Sequence, residues 1–314
     1  MTVNLPTINF NIFEYEENIK LLNEFVVLMF EKLNLLNEFK IDKDNLMRFI
    51  RECQSEYQDV PFHNYIHAFD VTQMVFCLLI QGRAKELLRP KDCLVLLIAA
   101  IAHDMGHPGF SNTFLARTQA IPFKIYGMDS TLEIMAFEGL KKILLRRDCA
   151  ILSSFVGQER EEMMNKIYDL IIATDMAIHL NVVTQFNLHK KEIPKLNPHE
   201  EVNEAVVLVF QKCILKCADL SNAMRPPKVA KKWAQKICEE FFLQGDRERA
   251  LNIPISPNMD RDLGSLAILQ STFIEVMVKP FVQNFVEVLP SEYNFLDLLE
   301  ENYQSWKELA VNSE

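Results

Sequence analysis

The chain has 314 residues, of which 49% are apolar and 24% charged, and this composition excludes a largely disordered protein. Its net charge of −10, from 43 acidic and 33 basic residues, argues against nucleic-acid binding, because an acidic surface repels phosphate backbones. Only 8 glycines are present, and apolar residues recur at three- and four-residue spacing, which favours helices over sheets.

The predicted elements are helices along the whole chain. An acidic amphipathic helical region covers residues 12–39, and a further helix covers 44–56. Beyond breaks that contain proline or glycine, the apolar spacing predicts helices over 68–81, 91–102, 132–145, 159–173, 203–216, 228–242 and 266–285. No segment alternates with period two over a length that predicts a sheet. We therefore predict one compact all-α domain over 1–314, with a helical N-terminal extension over 1–40.

The start of the chain and its cysteines bear on the compartment. No basic segment followed by an apolar run is present at the N-terminus, and the longest strongly apolar stretch, 93–102, is too short to span a bilayer. The seven cysteines lie mostly among apolar residues, which is typical of reduced, buried thiols. Cys213 and Cys217 could share a helical face, but two thiols alone make a poor zinc site. We expect a cytoplasmic protein with no membrane partner.

Two short segments carry four of the seven histidines. His63 and His67 are four residues apart, so that a helix would present both on one face. His103 and Asp104 directly follow a nearly continuous apolar stretch, and His107 comes shortly after them. Ionisable groups at the end of a buried helix are costly unless they are paired or bound to a metal. The pattern suits two divalent cations and a proton donor, and it predicts a phosphoester hydrolase.

A further carboxylate, Asp219, follows another apolar stretch over 205–215, in the same arrangement as Asp104. If Asp219 joins the histidines, it supplies one more metal ligand. From its spacing alone, an N-cap of the next helix is an open alternative.

Several motifs resemble those of class I cyclic-nucleotide phosphodiesterase catalytic domains, over nearly all of 40–310. The most specific is His103-Asp104-Met105-x-His107-x-Gly109-x-x-Asn112-x-Phe114, which fits the family's twelve-residue signature throughout. Five others are also similar: His63-Asn64-x-x-His67-Ala68, Ala173-Thr174-Asp175-Met176, Cys217-Ala218-Asp219-Leu220-Ser221-Asn222, Glu239-Glu240-Phe241-Phe242-x-Gln244-Gly245-Asp246 and Leu269-Gln270-x-x-Phe273-Ile274. The resemblance implies an all-α fold of the HD superfamily with about sixteen helices, and a phosphodiesterase core over 41–310.

The resemblance also implies the metal ligands and the cofactors. His67, His103, Asp104 and Asp219 would bind the tighter metal, Zn²⁺. Asp104 would bridge to a second cation, Mg²⁺ or in its place Mn²⁺. Asp175 would lie behind these ligands and support them.

The implied reaction is hydrolysis of a 3′,5′-cyclic nucleotide to the 5′-monophosphate. A hydroxide shared by the two cations would attack phosphorus, and His63 would protonate the departing 3′ oxygen as general acid. Glu133 would orient the His63 imidazole and keep it charged, and His107 would complete the catalytic set.

The implied nucleotide pocket is formed by Gln270, Phe273, Asn222, Ile237 and Phe241. Because Gln270 and Phe273 are three residues apart, a helix presents both on one side, where the ring can stack on a purine and the amide can meet its edge. A glutamine amide both donates and accepts, so its orientation decides between adenine and guanine. The segment 222–226 is similar to cAMP-preferring relatives, and we expect cAMP ahead of cGMP. No nucleic-acid partner is expected, and a homodimer is an open alternative to a monomer.

The chain departs from the family pattern at two places. The family usually follows its leucine-glutamate pair with Asn-His-His, whereas Leu132-Glu133 is followed here by Ile134-Met135-Ala136. We expect this loss of polar groups near the metals to lower activity or metal affinity, while every direct ligand is kept. Gly106 replaces the acidic or amide residue that is common at its position.

Two other functions fit part of the pattern. The first is another HD-type metal-dependent phosphohydrolase that acts on nucleoside monophosphates, which would not need the Gln270 and Phe273 pair. The second is a catalytically weak cyclic-nucleotide-binding protein, which the altered segment 134–136 favours.

Overall fold

The computed structural model describes residues 4–127, 129–289 and 295–311, and every regular element within them is helical. The α-helical segments are α1 (Ile19–Lys32), α2 (Leu35–Glu38), α3 (Lys43–Ser55), α4 (Tyr65–Ile80), α5 (Pro90–Ala102), α6 (Asn112–Arg117), α7 (Ile121–Tyr126), α8 (Thr131–Leu144), α9 (Gly157–Ile172), α10 (His179–His189), α11 (Glu204–Asp219), α12 (Pro227–Ala250), α13 (Leu266–Phe273), α14 (Lys279–Val286) and α15 (Phe295–Val311). The predicted all-α fold is confirmed. The parts of the predicted domain that fall on 1–3, 128, 290–294 and 312–314 lie outside the described residues.

Three helices form the centre of the molecule. α4 and α5 are mostly apolar around their circumference and almost wholly buried. α4 packs against α5, and α11 packs against both. A helix that is apolar all round is stable only inside a core. His67 lies in the first turn of α4, His103 directly follows α5, and Asp219 is the last residue of α11. The packing of the three helices therefore brings polar groups into the interior.

α12 is longer than predicted. The helix expected over 228–242 continues to Ala250. The apolar pattern stops before the helix does, because the buried face of its last turns is lined by polar side chains. Glu240, Gln244 and Glu248 recur on that face at four-residue spacing, and all three are buried. They bind neighbouring segments of the chain, as in the ion pair between Glu248 and Arg117 at 3.2 Å. These contacts supply the partners that buried polar groups require.

The N-terminal extension is helical only in its second part. Residues 4–18 are turns with one 3₁₀ helix (Ile12–Glu14), and the Asn11 and Asn18 side chains accept hydrogen bonds from the backbone amides that follow them. The apolar side chains of this segment belong to the main core, where Leu5, Ile8, Phe10 and Ile12 are buried. The prediction of a helical extension over 1–40 is therefore wrong for residues 4–18, where one short 3₁₀ helix is the regular element and α1 begins only after the Asn18 cap.

The helix predicted over 266–285 contains an irregular turn. α13 ends at Phe273, a π-helical turn (Ile274–Val278) follows, and α14 continues from it. Pro280 has no backbone N–H to donate within an α-helix, which favours the wider turn before it. The wider turn thus begins directly after Phe273, a predicted pocket residue.

The cysteines and the longer apolar helices agree with the composition. All seven cysteines are buried and none forms a disulfide bond. The candidate metal-binding groups among the described residues contain no cysteine. No single described helix is long and apolar enough to span a membrane. The segments Gly157–Ile172 and Met176–His189 meet this criterion only as a pair, and the chain bends by 86° between them.

Candidate active site

Four of the predicted metal ligands converge between the central helices. Nε2 of His67 lies 3.1 Å from Oδ1 of Asp219 and 3.5 Å from Oδ2 of Asp104. Nε2 of His103 lies 3.0 Å from Oδ2 of Asp104 and 3.5 Å from Oδ1 of Asp219. Two imidazole nitrogens and two carboxylate oxygens therefore surround one small volume, although His67 and Asp219 are 152 residues apart in the chain.

The hydrogen bonds of His103 show that this group suits a cation. Its Nδ1 bonds to the carbonyl of Ala100 at 2.9 Å, which assigns the proton to Nδ1 and leaves a lone pair on Nε2. That Nε2 atom is buried and makes no hydrogen bond, while the Asp104 carboxylate faces it. Ligand atoms of His67, His103 and Asp104 all lie within 4.8 Å of one another. A divalent cation would engage this lone pair and offset the carboxylate charge, so these residues form a candidate metal-binding site.

Asp219 does not cap the following helix. It occupies the position before the 3₁₀ helix (Leu220–Met224) but makes no side-chain capping bond there. Its carboxylate is directed at His67 and His103 instead. Burial raises the pKa of Asp219, but the two nearby rings outweigh burial and hold this pKa well below the ordinary value. The ligand interpretation of Asp219 is favoured over the capping one.

His63 and His67 do not share a helix. The Asn64 side chain accepts hydrogen bonds from the backbone amides of Ile66 and His67, so that α4 begins at Tyr65. His63 therefore precedes the helix, and the expectation that one helical face presents both histidines is wrong. As a result, His67 joins the candidate metal-binding site while the His63 ring contacts α12.

Glu240 of α12 binds the His63 ring and backbone together. Its Oε1 accepts a short hydrogen bond from Nδ1 of His63, and its Oε2 accepts from the backbone amides of Phe62 and His63 at 2.9 and 3.1 Å. Burial lowers the pKa of His63, but the charge of Glu240 outweighs burial and raises it to about 9. Burial raises the pKa of Glu240, but His63 lowers it to about 2. The pair is therefore ionic at neutral pH.

His107 lies against His63 as a neutral ring. The two ring centroids are 4.0 Å apart and the planes are inclined by 26°. Nδ1 of His107 accepts a hydrogen bond from the Gly109 amide at 3.1 Å, and burial together with the charge of His63 lowers the pKa of His107 to about 3. A neutral imidazole can stack on a charged one without repulsion, so His107 can support protonated His63.

Glu133 has a different partner from the one predicted. Its Oε2 accepts a hydrogen bond from Asn112 at 3.0 Å, and burial together with the charge of Asp175 raises its pKa to about 7. The carboxylate that contacts His63 is Glu240, so the prediction that Glu133 orients His63 is wrong. Glu240 was present in the sequence as one of two adjacent glutamates, but nothing in the sequence showed which of the two is buried.

Asp175 lies near Glu133, and its charge acts on the Glu133 carboxyl. Its oxygens accept hydrogen bonds from the Ser130 hydroxyl at 2.7 Å and from the Ala177 amide at 2.8 Å. The buried Lys216 ammonium donates to the carbonyl of Thr174 at 3.4 Å, next to this carboxylate. These hydrogen bonds hold the turn at Asp175 in place, next to Glu133.

The five predicted pocket residues lie on adjoining elements. Gln270 and Phe273 are on α13, which packs against α12, and α12 carries Ile237 and Phe241. Asn222 follows Asp219 in the adjoining 3₁₀ helix, and all five side chains are half-buried. A hydrogen bond from Gln270 lowers the pKa of the Cys238 thiol, but burial outweighs it and raises that pKa to about 11.

A surface cavity of about 310 Å³ lies near the start of α13. Ile255, Asp260, Leu263 and Ile268 are among the residues that line it. Neither the metal-binding residues nor the five predicted pocket residues border this cavity. It is therefore distinct from the predicted nucleotide site.

The arrangement of these groups agrees with comparisons to known proteins. A family model described as 3′5′-cyclic nucleotide phosphodiesterase matches residues 62–299. The chain belongs to this family. The matched region of the cyclic nucleotide phosphodiesterase model contains all of the site residues described above.

Curated phosphodiesterases are similar over most of the chain. The 3′,5′-cyclic-nucleotide phosphodiesterase regA of Dictyostelium discoideum is 31% identical over 95% of the chain. The high affinity cGMP-specific 3′,5′-cyclic phosphodiesterase 9A of Mus musculus is 33% identical over 90%, and the cGMP-specific 3′,5′-cGMP phosphodiesterase 3 of D. discoideum is 31% identical over 91%. The chain spans 37%, 52% and 60% of the length of these three relatives, respectively.

Solved phosphodiesterase structures share the fold. LmjPDEB1 in complex with IBMX has a TM-score of 0.89 at 27% identity, with 99% of this chain and 94% of that chain covered. The phosphodiesterase domain of Salpingoeca rosetta rhodopsin phosphodiesterase has a TM-score of 0.88 at 28% identity, with the same coverage. The similarity includes the N-terminal segment, which lies outside the family model.

Proposed function

We propose that this protein hydrolyses 3′,5′-cyclic nucleotides to 5′-monophosphates in a metal-dependent reaction. The observation that carries this proposal is the position of the His63–Glu240 pair beside the cluster of two histidines and two aspartates. A cyclic phosphodiester is anionic and has a poor leaving group, so its hydrolysis requires charge neutralisation and a proton donor together. The cluster suits the first requirement and His63 suits the second.

We propose that His67, His103, Asp104 and Asp219 hold Zn²⁺, and that Asp104 also contacts a second cation, Mg²⁺ or Mn²⁺. Imidazole and carboxylate ligands suit zinc, and a carboxylate suits the harder magnesium ion. When bound, two such cations lower the pKa of a water molecule and offset charge on the phosphoryl oxygens. The chain contributes the buried ligand set, with the free Nε2 lone pair of His103 already aimed at Asp104.

We propose His63 as the general acid for the departing 3′ oxygen. Because Nδ1 of His63 is bonded to Glu240, the transferable proton is the one on Nε2. The raised pKa of about 9 keeps His63 protonated at neutral pH. Glu240 holds the ring at one edge and His107 stacks on it, so these two are positioning residues for the proton donor.

We propose that Gln270 and Phe273 of α13 bind the base between them and Ile237 and Phe241 of α12, with Asn222 beside it. cAMP is the favoured substrate, because the segment 222–226 is similar to cAMP-preferring phosphodiesterases. cGMP is the second candidate, because two of the similar relatives are named as cGMP-specific enzymes.

The test is turnover of cAMP, cGMP and AMP by the purified protein with added Mg²⁺ or Mn²⁺, followed by separation of the products. We expect 5′-AMP or 5′-GMP from the cyclic substrates and no phosphate release from AMP. Phosphate release from AMP would instead support a nucleoside monophosphate hydrolase. Tight binding of cAMP without turnover in either metal would support a cyclic-nucleotide-binding protein and would refute the proposal.

A further inference from the structure

The ring of His67 is enclosed by two other aromatic rings. The centroid of Phe62 lies 4.5 Å from that of His67, and the centroid of Trp233 lies 5.8 Å from it. Phe62 and Trp233 also contact each other, with centroids 5.4 Å apart. Because Trp233 is fully buried on α12, its position limits the orientations that are open to His67.

The N-terminal segment supplies a further ring against Trp233. The centroid of Phe13 lies 4.9 Å from that of Trp233. Nζ of Lys232 lies 4.1 Å from the Phe13 centroid, and Nζ of Lys236 lies 5.8 Å from it. Glu16 contacts both lysines, with N–O distances of 2.5 and 3.9 Å. Phe13 therefore contacts α12 through the Trp233 ring and through two lysine side chains. Glu16, from the same segment as Phe13, holds these lysines in place.

The same segment also binds α4, the helix that carries His67. Arg225 is fully buried and its Nη2 donates to the carboxylate of Asp70 and to the amide oxygen of Gln73, each at 2.7 Å. Its Nη1 donates to the backbone carbonyl of Ile8 at 3.3 Å. Asp70 lies one helical turn after His67. A buried guanidinium is costly unless its donors are satisfied, so the carbonyl of Ile8 adds a needed acceptor to an ion pair on the helix that carries His67.

We propose that residues 5–16, which we call the N-terminal strap, position His67 for metal binding, with Phe13 acting through Trp233 as a positioning residue. This inference rests on the metal centre proposed above. Loss of the Phe13 ring leaves Trp233 free to shift, and His67 then loses its fixed orientation toward Asp219 and Asp104. Trp233 shares α12 with Ile237 and Phe241 of the proposed nucleotide pocket, whereas Gln270 and Phe273 lie on α13. Because Trp233 contacts the His67 ring directly, the effect falls first on metal affinity and kcat.

The test compares Co²⁺ binding by the wild-type protein, Phe13→Ala and the control Phe39→Ala. Phe39 is also a half-buried phenylalanine with one aromatic neighbour, Phe155 at 5.1 Å. The visible absorption of bound Co²⁺ reports the geometry of its ligands, whether or not the enzyme turns over. We expect Phe13→Ala to weaken Co²⁺ binding by about tenfold to a hundredfold and to change the spectrum. Phe39→Ala should leave both unchanged, and Phe13→Tyr should restore the wild-type spectrum.

The outcomes separate the strap from the metal centre. Failure of the wild-type protein to bind Co²⁺ would refute the metal centre itself. If the wild type binds Co²⁺ and Phe13→Ala has the affinity and spectrum of Phe39→Ala, the strap does not position His67 and this inference is wrong. If Phe13→Ala does not fold, Phe13→Leu, which keeps an apolar side chain without the ring, is measured in the same way and against the same expectation.

Discussion

Gly106 and Met135, which both lie at departures from the family pattern, are neighbours in the structure. A Cβ atom placed on Gly106 would lie 3.2 Å from Cε of Met135. Gly106 has a φ of +78°, in the left-handed region that glycine adopts freely and that asparagine and aspartate adopt more readily than other residues. The left-handed backbone explains why an acidic or amide residue is common at this position in the family and why glycine replaces it here.

We expect Gly106→Ala to lower the free energy of unfolding by about 1–2 kcal/mol, because alanine is strained in the left-handed region. Gly139→Ala is the matched control, since its Cβ would also lie 3.2 Å from a methionine Cε, that of Met105, but its backbone is helical. Gly139→Ala should be neutral or stabilising. Urea unfolding of both variants measures these changes in the free energy of unfolding. Equal destabilisation of the two variants would show that the contact with methionine, and not the left-handed backbone, causes it.

Glu240→Gln should move the alkaline limb of the kcat profile to lower pH. The Glu240 charge raises the pKa of His63 to about 9, so removing that charge lowers the pKa, and the proton donor is lost earlier as the pH rises. A shift of at least about one pH unit is expected. Glu239→Gln is the control, because Glu239 pairs with Arg261 at the surface. An unchanged limb in Glu240→Gln would show that His63 does not act as the general acid.

Glu133→Gln should stabilise the metal-free protein at high pH. The pKa of Glu133 is raised from 4.5 to about 7, so the folded state binds this proton more tightly than the unfolded state. The stabilising contribution of the protonated carboxyl is present below about pH 4.5 and is lost as the pH rises through about 7. At pH 8 the variant should be more stable than the wild type by up to about 3 kcal/mol, and at pH 4.5 the two should be nearly equal.

Thermal unfolding at both pH values, in the presence of a chelator, measures this difference. Glu138→Gln on the same helix is the control, because Glu138 forms an ion pair with Lys141 in a more exposed position. A gain in Glu133→Gln that is the same at both pH values would show that the carboxyl does not titrate in this range.

His63→Ala and Asp219→Ala should separate proton donation from metal binding. His63→Ala removes the proposed donor and leaves the four proposed metal ligands, so kcat should fall by about 10² to 10⁴ while bound zinc is retained. Asp219→Ala removes one ligand and leaves the buried rings of His67 and His103 without that carboxylate, so zinc should be lost as well. Elemental analysis of both variants beside turnover is the measurement. Full zinc content in Asp219→Ala would exclude Asp219 as a ligand.

The sequence by itself determined the helical class and the candidate metal ligands. Apolar residues at helical spacing leave few alternatives, and a buried helix that ends in His103 and Asp104 must place polar groups in the interior. Helix bounds were less certain, because Asn11, Asn18 and Asn64 act as caps through side-chain hydrogen bonds that spacing does not reveal. The cap at Asn64 is the reason that His63 and His67 do not share a helix.

Only the tertiary structure decided which carboxylate binds His63. Glu133 and Glu240 were both in recognisable motifs, but α8 places Glu133 against Asn112 and near Asp175, whereas α12 places Glu240 against His63. A hydrogen bond between residues 177 positions apart depends on how whole helices pack, and local periodicity carries no information about that. For the same physical reason, the contact of Phe13 with Trp233 became visible only once the chain was folded.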